Sequence, residues 1–315
     1  MNTPTKGLDK ILAFMNSKDE NGITNLEKAE KNAKVIRRIK STDPNKSYEE
    51  STKKETEYPI GVIVENNKLI GFGIYIFNED IYPLQSFEIY LRNCGLTGKL
   101  DLDGCDDMLF LDLYNNCIDE ENLGSMKSMR ILGLQNNKIK EIDPKLLPSC
   151  LGIDIGKNQL KEICVRENKE LVELYINDNN IETIDISENK NLKYFYCHNN
   201  NIKKLDTGKN KLLRHLNAEN NPMTEIYSLA PQRDEVLLLT LKAEEGGFVG
   251  LKFNPVYNAQ WKETGEWQQS YSAYPKEGYK FAGWFNEDGS LFCKDEKYID
   301  TYGASRVLKA AFEKI

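Results

Sequence analysis

The sequence predicts a mostly β protein organised around a solenoid with a parallel sheet, and three observations predict it. The first is a strict period. Leu171 to Asn191 reads L-V-E-L-Y-I-N-D-N-N-I-E-T-I-D-I-S-E-N-K-N, and a shift of 21 residues maps Leu174, Ile176, Asn179 and Ile181 onto Phe195, Cys197, Asn200 and Ile202. The same frame returns Leu216, Ala218, Asn221 and Met223 downstream, and upstream Ile153, Ile155, Asn158 and Leu160, then Leu132, Leu134, Asn137 and Ile139, then Leu111, Leu113, Asn116 and Ile118. A first unit, offset by 22, carries Ile89, Leu91, Cys94 and Leu96, making seven units in all. A fixed period of this length means that each unit buries its apolar face only by stacking on its neighbours.

The second observation is the local alternation. Around Leu174 and Ile176 the apolar residues recur at every second position, so each unit opens with a short strand whose two apolar side chains point inward. Stacked strands then form a parallel sheet advancing about 4.8 Å per unit. The return half (Ile184, Ile186; Ile142, Ile163 and Leu205 elsewhere) alternates too, predicting a short extended segment where 21 residues leave no room for a helix. The third is the recurrent asparagine. Asn116, Asn137, Asn158, Asn179, Asn200 and Asn221 stand where the chain turns away from the sheet. A carboxamide both donates and accepts, so it can satisfy backbone groups that a turn would strand, and stacking makes these residues a ladder. Cys94 replaces the amide in the first unit.

Before the array, residues 1–57 predict a helical segment and linker. Leu8, Ile11, Leu12 and Met15 recur at helical spacing. T-N-L-E at Thr24 to Glu27 has the form of a capping box, opening a second helix whose face is expected to run through Leu26, Ala29, Ala33, Ile36 and Ile39. Between them S-K-D-E-N-G-I-T-N-L-E resembles a worn calcium loop, with Gly22 at the turn, Ser17 in the first ligand position and Lys28 where a bidentate Glu belongs. A plain helix–loop–helix cap is the expectation, and no metal or cofactor is called for. Residues 41–57 are polar and predict a loop. Residues 58–85 contain the alternating run Ile60 to Phe77 with Asn66-Asn67 at its middle, a β-hairpin expected to cover the first repeat.

The array is assigned to residues 86–233 and a separate β domain to 234–315. In the latter, Val236 to Lys242, Phe248 to Phe253, Gln268 to Tyr274, Tyr279 to Phe285 and Arg306 to Glu313 predict strands, with Tyr279, Phe281 and Trp284 as the core and Trp261 to Trp267 as a surface loop.

These residues carry a family resemblance. Asn191 to Asp206 (N-L-K-Y-F-Y-C-H-N-N-N-I-K-K-L-D) resembles bacterial leucine-rich repeats of the internalin type, in their 21-residue variety. Ala273 to Gly289 (A-Y-P-K-E-G-Y-K-F-A-G-W-F-N-E-D-G), followed by V-L-K-A-A-F-E at Val307 to Glu313, resembles the B-repeat modules of internalin-like surface proteins. The resemblance implies a β-grasp-like C-terminal domain acting as a stalk or adhesive spacer, and a bacterial surface or secreted setting.

Composition narrows the function classes. The 315 residues are 40% hydrophobic and 29% charged, with a formal net charge of −7, which argues against nucleic acid because a duplex binder needs clustered cations. No apolar run approaches the roughly 20 residues of a membrane helix. The first residues lack a basic-then-apolar signal region, so either the protein stays inside the cell or an export signal has been removed. Seven cysteines cannot all pair within one chain, no C-x-x-C occurs, and Cys94, Cys150 and Cys197 occupy core positions as reduced thiols. Catalysis is not expected. His198 and His215 sit at opposite ends of their strands, roughly 13 Å apart in level, and no P-loop, GxSxG or HExxH is present.

Binding is expected on the outward face of the sheet, where each unit contributes three columns. The central one runs Tyr90, Asp112, Gly133, Asp154, Tyr175, Tyr196, Asn217. One flank runs Glu88, Phe110, Ile131, Gly152, Glu173, Tyr194, His215, and the other Arg92, Tyr114, Gln135, Gly156, Asn177, His198, Glu219. Candidate ligand-binding residues are Tyr175, Tyr194, Tyr196, His198, His215, Asn217, Tyr114 and Phe110, since tyrosine offers large contact area, a polar tip and few rotors. Gly133, Gly152 and Gly156 predict a bare patch beside them. The partner expected is a protein or a glycan. A structural spacer and an intracellular scaffold remain open.

Overall fold

The computed structural model describes residues 8–32, 34–40, 48–51, 62–65, 68–72, 88–231, 236–257, 263–300 and 306–315. It comprises two compact units, Met1–Cys150 and Leu151–Ile315.

The first unit begins with α1 (Leu8–Asn16) and α2 (Asn25–Asn32). The capping box is formed: the Glu27 carboxylate accepts from the backbone N–H and hydroxyl of Thr24 at 2.7 and 2.8 Å, and the Glu27 N–H donates to Thr24 Oγ1 at 3.1 Å. The buried side of α1 is Ile11, Phe14 and Met15, whereas Leu12 is exposed. Asn25, fully buried, ties the helices to the array: its Nδ2 donates to the carbonyls of Phe14 and Thr97, and its Oδ1 accepts from the Thr97 N–H. Lys10 adds an ion pair to Asp101 at 2.6 Å.

The loop between the helices carries its own cation. The Asp19 carboxylate accepts from the N–H groups of Asn21 and Ile23, and the Lys28 ammonium lies 3.0 Å from it. Lys28 therefore stands, in the position where a calcium loop has its bidentate glutamate, as an internal counter-ion. Among the described residues no group of three or more His, Cys, Asp or Glu is disposed to hold a metal.

Two sequence expectations fail in this region. The second helix stops at Asn32, and Val35, Ile36 and Ile39 belong instead to β1 (Lys34–Lys40); Ala33 lies outside the described residues. Residues 41–57, read as a loop, include β2 (Tyr48–Ser51), which pairs antiparallel with β1. The physical reason is the β-branched content of K-V-I-R-R-I-K, which suits a strand as soon as a partner edge is available.

The hairpin joins β3 (Val62–Glu65) to β4 (Lys68–Phe72), with its turn outside the described residues. β5 (Glu88–Tyr90), the strand of the first repeat, pairs with β1. After β5 the chain runs through β6 (Thr97–Asp101), β7 (Phe110–Asp112), β8 (Cys117–Asn122) and β9 (Ile131–Gly133). The place beside β7 in the inner sheet is taken by β4, in parallel, and β9 follows on the other side. The first repeat nevertheless stacks at its corner, where the Leu96 N–H donates to Asn116 Oδ1 and Asn116 Nδ2 to the Leu91 carbonyl. On the return side β6 and β8 are parallel, and a single 3-10 turn spans Pro144–Leu146.

In the second unit the repeats contribute β10 (Gly152–Asp154), β11 (Glu173–Tyr175), β12 (Tyr194–Tyr196), β13 (Lys204–Asp206) and β14 (His215–Asn217). Strands β10, β11, β12 and β14 form a parallel sheet in strict register, Ile153 beside Leu174, Phe195 and Leu216, all fully buried. In this unit the return halves form no strand until β13. There the expectation of a strand-like back holds only where a neighbour supplies the ladder.

Beyond the repeats come β15 (Glu225–Pro231), β16 (Val236–Ala243), β17 (Gly247–Tyr257), β18 (Glu263–Pro275), β19 (Tyr279–Asn286), β20 (Leu291–Cys293), β21 (Lys297–Asp300) and β22 (Arg306–Lys314). They pair with strands of the repeats. β17 adds antiparallel to β14, followed by β18 and β21, while β15 adds parallel to β13, followed by β16, β22, β19 and β20. Both sheets of the repeats thus run on across the boundary expected at 233/234. Their shared interior includes Trp284, Tyr271, Phe253, Leu241, Leu251 and Leu308, all essentially inaccessible, whereas Tyr279 and Phe281 are half-buried. Trp267, expected on a surface loop, lies in β18, buried with its ring centre 6.5 Å from that of Phe253 and 5.6 Å from the Arg214 guanidinium. No helix among the described residues is long and apolar enough to cross a membrane.

Candidate binding face

Three asparagine or asparagine-like columns hold the turns in place, and the sequence made only one of them obvious. At the ladder position, Asn179 Nδ2 donates to the carbonyls of Ile155 and Ile176, and its Oδ1 accepts from the Leu160 N–H at 2.9 Å. Asn116, Asn137, Asn200 and Asn221 make the equivalent bonds, and Asn158 donates to the Ile155 and Gly156 carbonyls. Cys94 in the first unit is buried, its thiol pushed up to about 11 by burial. Cys150 and Cys197 are free and buried as well.

The residue before each ladder position, namely Asn93, Asn115, Asn136, Lys157, Asp178, Asn199 and Asn220, has φ between 52° and 58°. Asparagine and aspartate tolerate this left-handed conformation, which is why N-N recurs in the sequence. Their side chains link in turn: Asn115 donates to Asn93, Asn136 to Asn115, Asn199 to Asp178 at 2.6 Å, and Asn220 to Asn199 at 2.8 Å. A third column, Asn168, Asn189 and Asn210, fills the opposite corner of the last repeats, with Asn189 and Asn210 donating to carbonyls of the preceding turn. The signal for it was the N-K pair recurring at 168, 189 and 210.

This scaffold aims alternate strand residues outward. In the second unit the pairing registers set Gly152, Glu173, Tyr194 and His215 in one row, and Asp154, Tyr175, Tyr196 and Asn217 in the next. The aromatic residues touch one another. His215 stacks on Tyr194 with centroids 4.5 Å apart, Tyr175 meets Tyr196 edge-on at 5.1 Å, and Tyr196 meets His198 at 6.3 Å. Tyr175, Tyr194, Tyr196, His198 and Asn217 are half-buried, while His215 is only 8% exposed beneath this cluster. Burial, with the nearby Arg214 charge, pushes the His215 imidazole down to about 4, so it is neutral at physiological pH. Burial also lowers His198, against the pull of Asp178 at 3.9 Å. Glu173, 9% exposed, is shifted upward by burial and accepts a hydrogen bond from Tyr175.

The row does not end with the repeats. Asn217 pairs with Lys252, Lys252 with Ser270 and Ser270 with Ile299, so the outward row Asp154, Tyr175, Tyr196, Asn217, Lys252, Ser270, Ile299 crosses seven strands, about 29 Å. Beside it, Glu219 accepts from Ser272 and Lys297, each at 3.0 Å. Ile299 is 52% exposed. None of these later residues was predicted, because nothing periodic announces that β17 and β18 continue the sheet.

The candidates in the first unit are differently placed. Phe110 is buried, and Tyr114 already carries the Arg92 guanidinium 5.0 Å from its ring centre. Arg92 also pairs with the buried Asp112 at 2.7 Å. The glycine patch is a partial correction. A Cβ on Gly133 would meet the Asp112 carboxyl at 3.3 Å, and one on Gly156 would meet Asn177 Oδ1 at 2.9 Å, so neighbouring side chains already fill both places. Only Gly152 opens onto space, with Glu173 Cβ 3.9 Å from where its own would be.

Stacked 21-residue turns, a parallel inner sheet and an asparagine at the corner of every repeat after the first define the class: a leucine-rich-repeat β-solenoid. No family model matches the chain, and no curated protein does. Among solved structures, the chain is similar to the functional domain of InlJ from Listeria monocytogenes, described as including a cysteine ladder, at 21% identity over 39% of this chain and 32% of that one, with a TM-score of 0.35. It is similar to an internalin, inlF, of Listeria monocytogenes at 21% identity over 38% and 44%, with a TM-score of 0.33. The BIR2 ectodomain from Arabidopsis thaliana matches at 17% identity over 53% and 76%, with a TM-score of 0.32. The chain therefore spans about a third of the InlJ chain and under half of the inlF chain.

Proposed function

We propose that the protein is a non-enzymatic recognition module whose outward sheet face binds a protein or glycan partner. The observation that carries this reading is the group of three half-buried tyrosines, Tyr175, Tyr194 and Tyr196, on adjacent strands of a rigid sheet. Rigid aromatics with polar tips give contact area at low entropic cost, which is what an interface centre requires. Phe110 and Tyr114 fall out of the site because one is buried and the other is occupied by Arg92. The face extends instead toward Lys252 and Ile299. The setting proposed, a bacterial surface or secreted adhesion role, rests on the resemblance of Asn191 to Asp206 to internalin-type repeats.

The test is a binding screen of the immobilised full chain against displayed random peptides and a glycan array, repeated with Tyr175, Tyr194 and Tyr196 all changed to Ala. Binding should vanish in the variant while its melting remains cooperative. Undiminished affinity in a folded variant overturns the assignment.

A further inference from the structure

Resting on that reading of the face, we propose that the opening beside Gly152, bounded by Glu173, Tyr175 and Tyr194, receives the cationic side chain of a lysine or arginine carried by a partner protein.

Charge comes first. Glu173 is a carboxylate 9% exposed, on the outward side of β11, and it meets the Tyr175 hydroxyl and no described cation. A carboxylate held this way is costly unless a positive group approaches it, and none of the described residues brings one. The other outward carboxylate nearby, Asp154, sits diagonally across on β10. His215, two strands away in the same row, adds no positive charge because it is neutral. The nearest outward lysine in the sheet, Lys252, lies three strands from β11, about 14 Å. The β10–β11 part of the face is thus anionic, and complementarity asks for a cation from outside.

Shape comes second. Gly152 is the row neighbour of Glu173, and its missing side chain leaves room with only the Glu173 Cβ in reach. On the other side of Glu173 stands Tyr194, stiffened by its stack on His215. Tyr175 stands two residues along β11, at its next outward position, and meets Tyr196 edge-on. A lysine or arginine entering over Gly152 would place its aliphatic stem against the tyrosine rings and its charge on the carboxylate, combining an ion pair with cation–π attraction. An extended segment lying across the strands would continue over Tyr196 and Asn217 toward Lys252, where an acidic residue of the partner fits. A neutral or acidic sugar has no positive charge to offer Glu173, so this part of the face favours protein.

The experiment selects displayed random dodecapeptides on the immobilised full chain, then measures the enriched peptides against Glu173→Gln and Gly152→Tyr. Glu173→Gln keeps the shape of the side chain and its bond to Tyr175, and Gly152→Tyr fills the opening while leaving the carboxylate in place. Binders should be enriched in Lys or Arg, weaken by about tenfold or more in either variant, and weaken as salt rises. Melting of Glu173→Gln should be unchanged or higher, since a buried charge is removed. Binders without basic enrichment, or binders indifferent to both variants yet lost in the triple tyrosine variant, overturn the cation pocket and leave the face intact. Glycan binding alone does the same. Selection of no ligand at all overturns both.

Discussion

The imidazole of His215 lies flat on the ring of Tyr194, centroids 4.5 Å apart and planes inclined by 18°. The pair joins two neighbouring strands of the parallel sheet, Tyr194 half-buried above and His215 nearly buried. Its consequence is electrostatic, because an imidazole buried in this way, with the Arg214 charge nearby, resists protonation.

With His215 lowered to about 4 from an ordinary value near 6.5, the unfolded chain takes up a proton that the folded chain refuses between those limits. The sign follows: the contribution of His215 is complete above about pH 6.5 and is lost as pH falls toward 4. The urea midpoint of the parent minus that of His215→Phe, which keeps the stack without the titration, should fall as pH drops through this window. Parallel curves would show that His215 is not held neutral.

Asn179 donates to three carbonyls and accepts from one N–H at a buried corner. Asn179→Ala should cost about 1–3 kcal/mol through the groups left unmet. Asn180, exposed one residue later, is the control, and Asn180→Ala should stay within about 0.5 kcal/mol. Chemical denaturation of the two variants decides it.

Lys157 is the one residue in the left-handed column that is neither Asn nor Asp, at φ 52°. Lys157→Asn should stabilise the protein by about 1 kcal/mol or less, relieving backbone strain and offering an amide to Asp178. The midpoint in urea should rise with an unchanged slope.

How much of this was legible beforehand differs from element to element. The 21-residue frame placed Leu174, Ile176, Phe195 and Leu216 inside and Tyr175, Tyr194 and Tyr196 outside, and it gave the neighbours within each row, because period and alternation are properties of the chain itself. The left-handed column was equally present, as N-N, but its meaning is a backbone angle that no hydrophobic pattern displays. Ile36 and Ile39 misled because apolar spacing in a short segment fits a helix or a strand, and only the available edges of β2 and β5 chose between them.

The sequence by itself thus determined the solenoid, the identity of its core positions, its corner asparagines and the aromatic rows of its outward face. Tertiary structure alone decided where that face ends, which glycine is open, and which candidate side chains are already engaged. The reason is that periodic contacts are encoded once per repeat and read locally. The pairing of β17 with β14, the Arg92–Tyr114 contact and the filling of Gly156 by Asn177 depend instead on which non-repeating residues meet after the chain has folded.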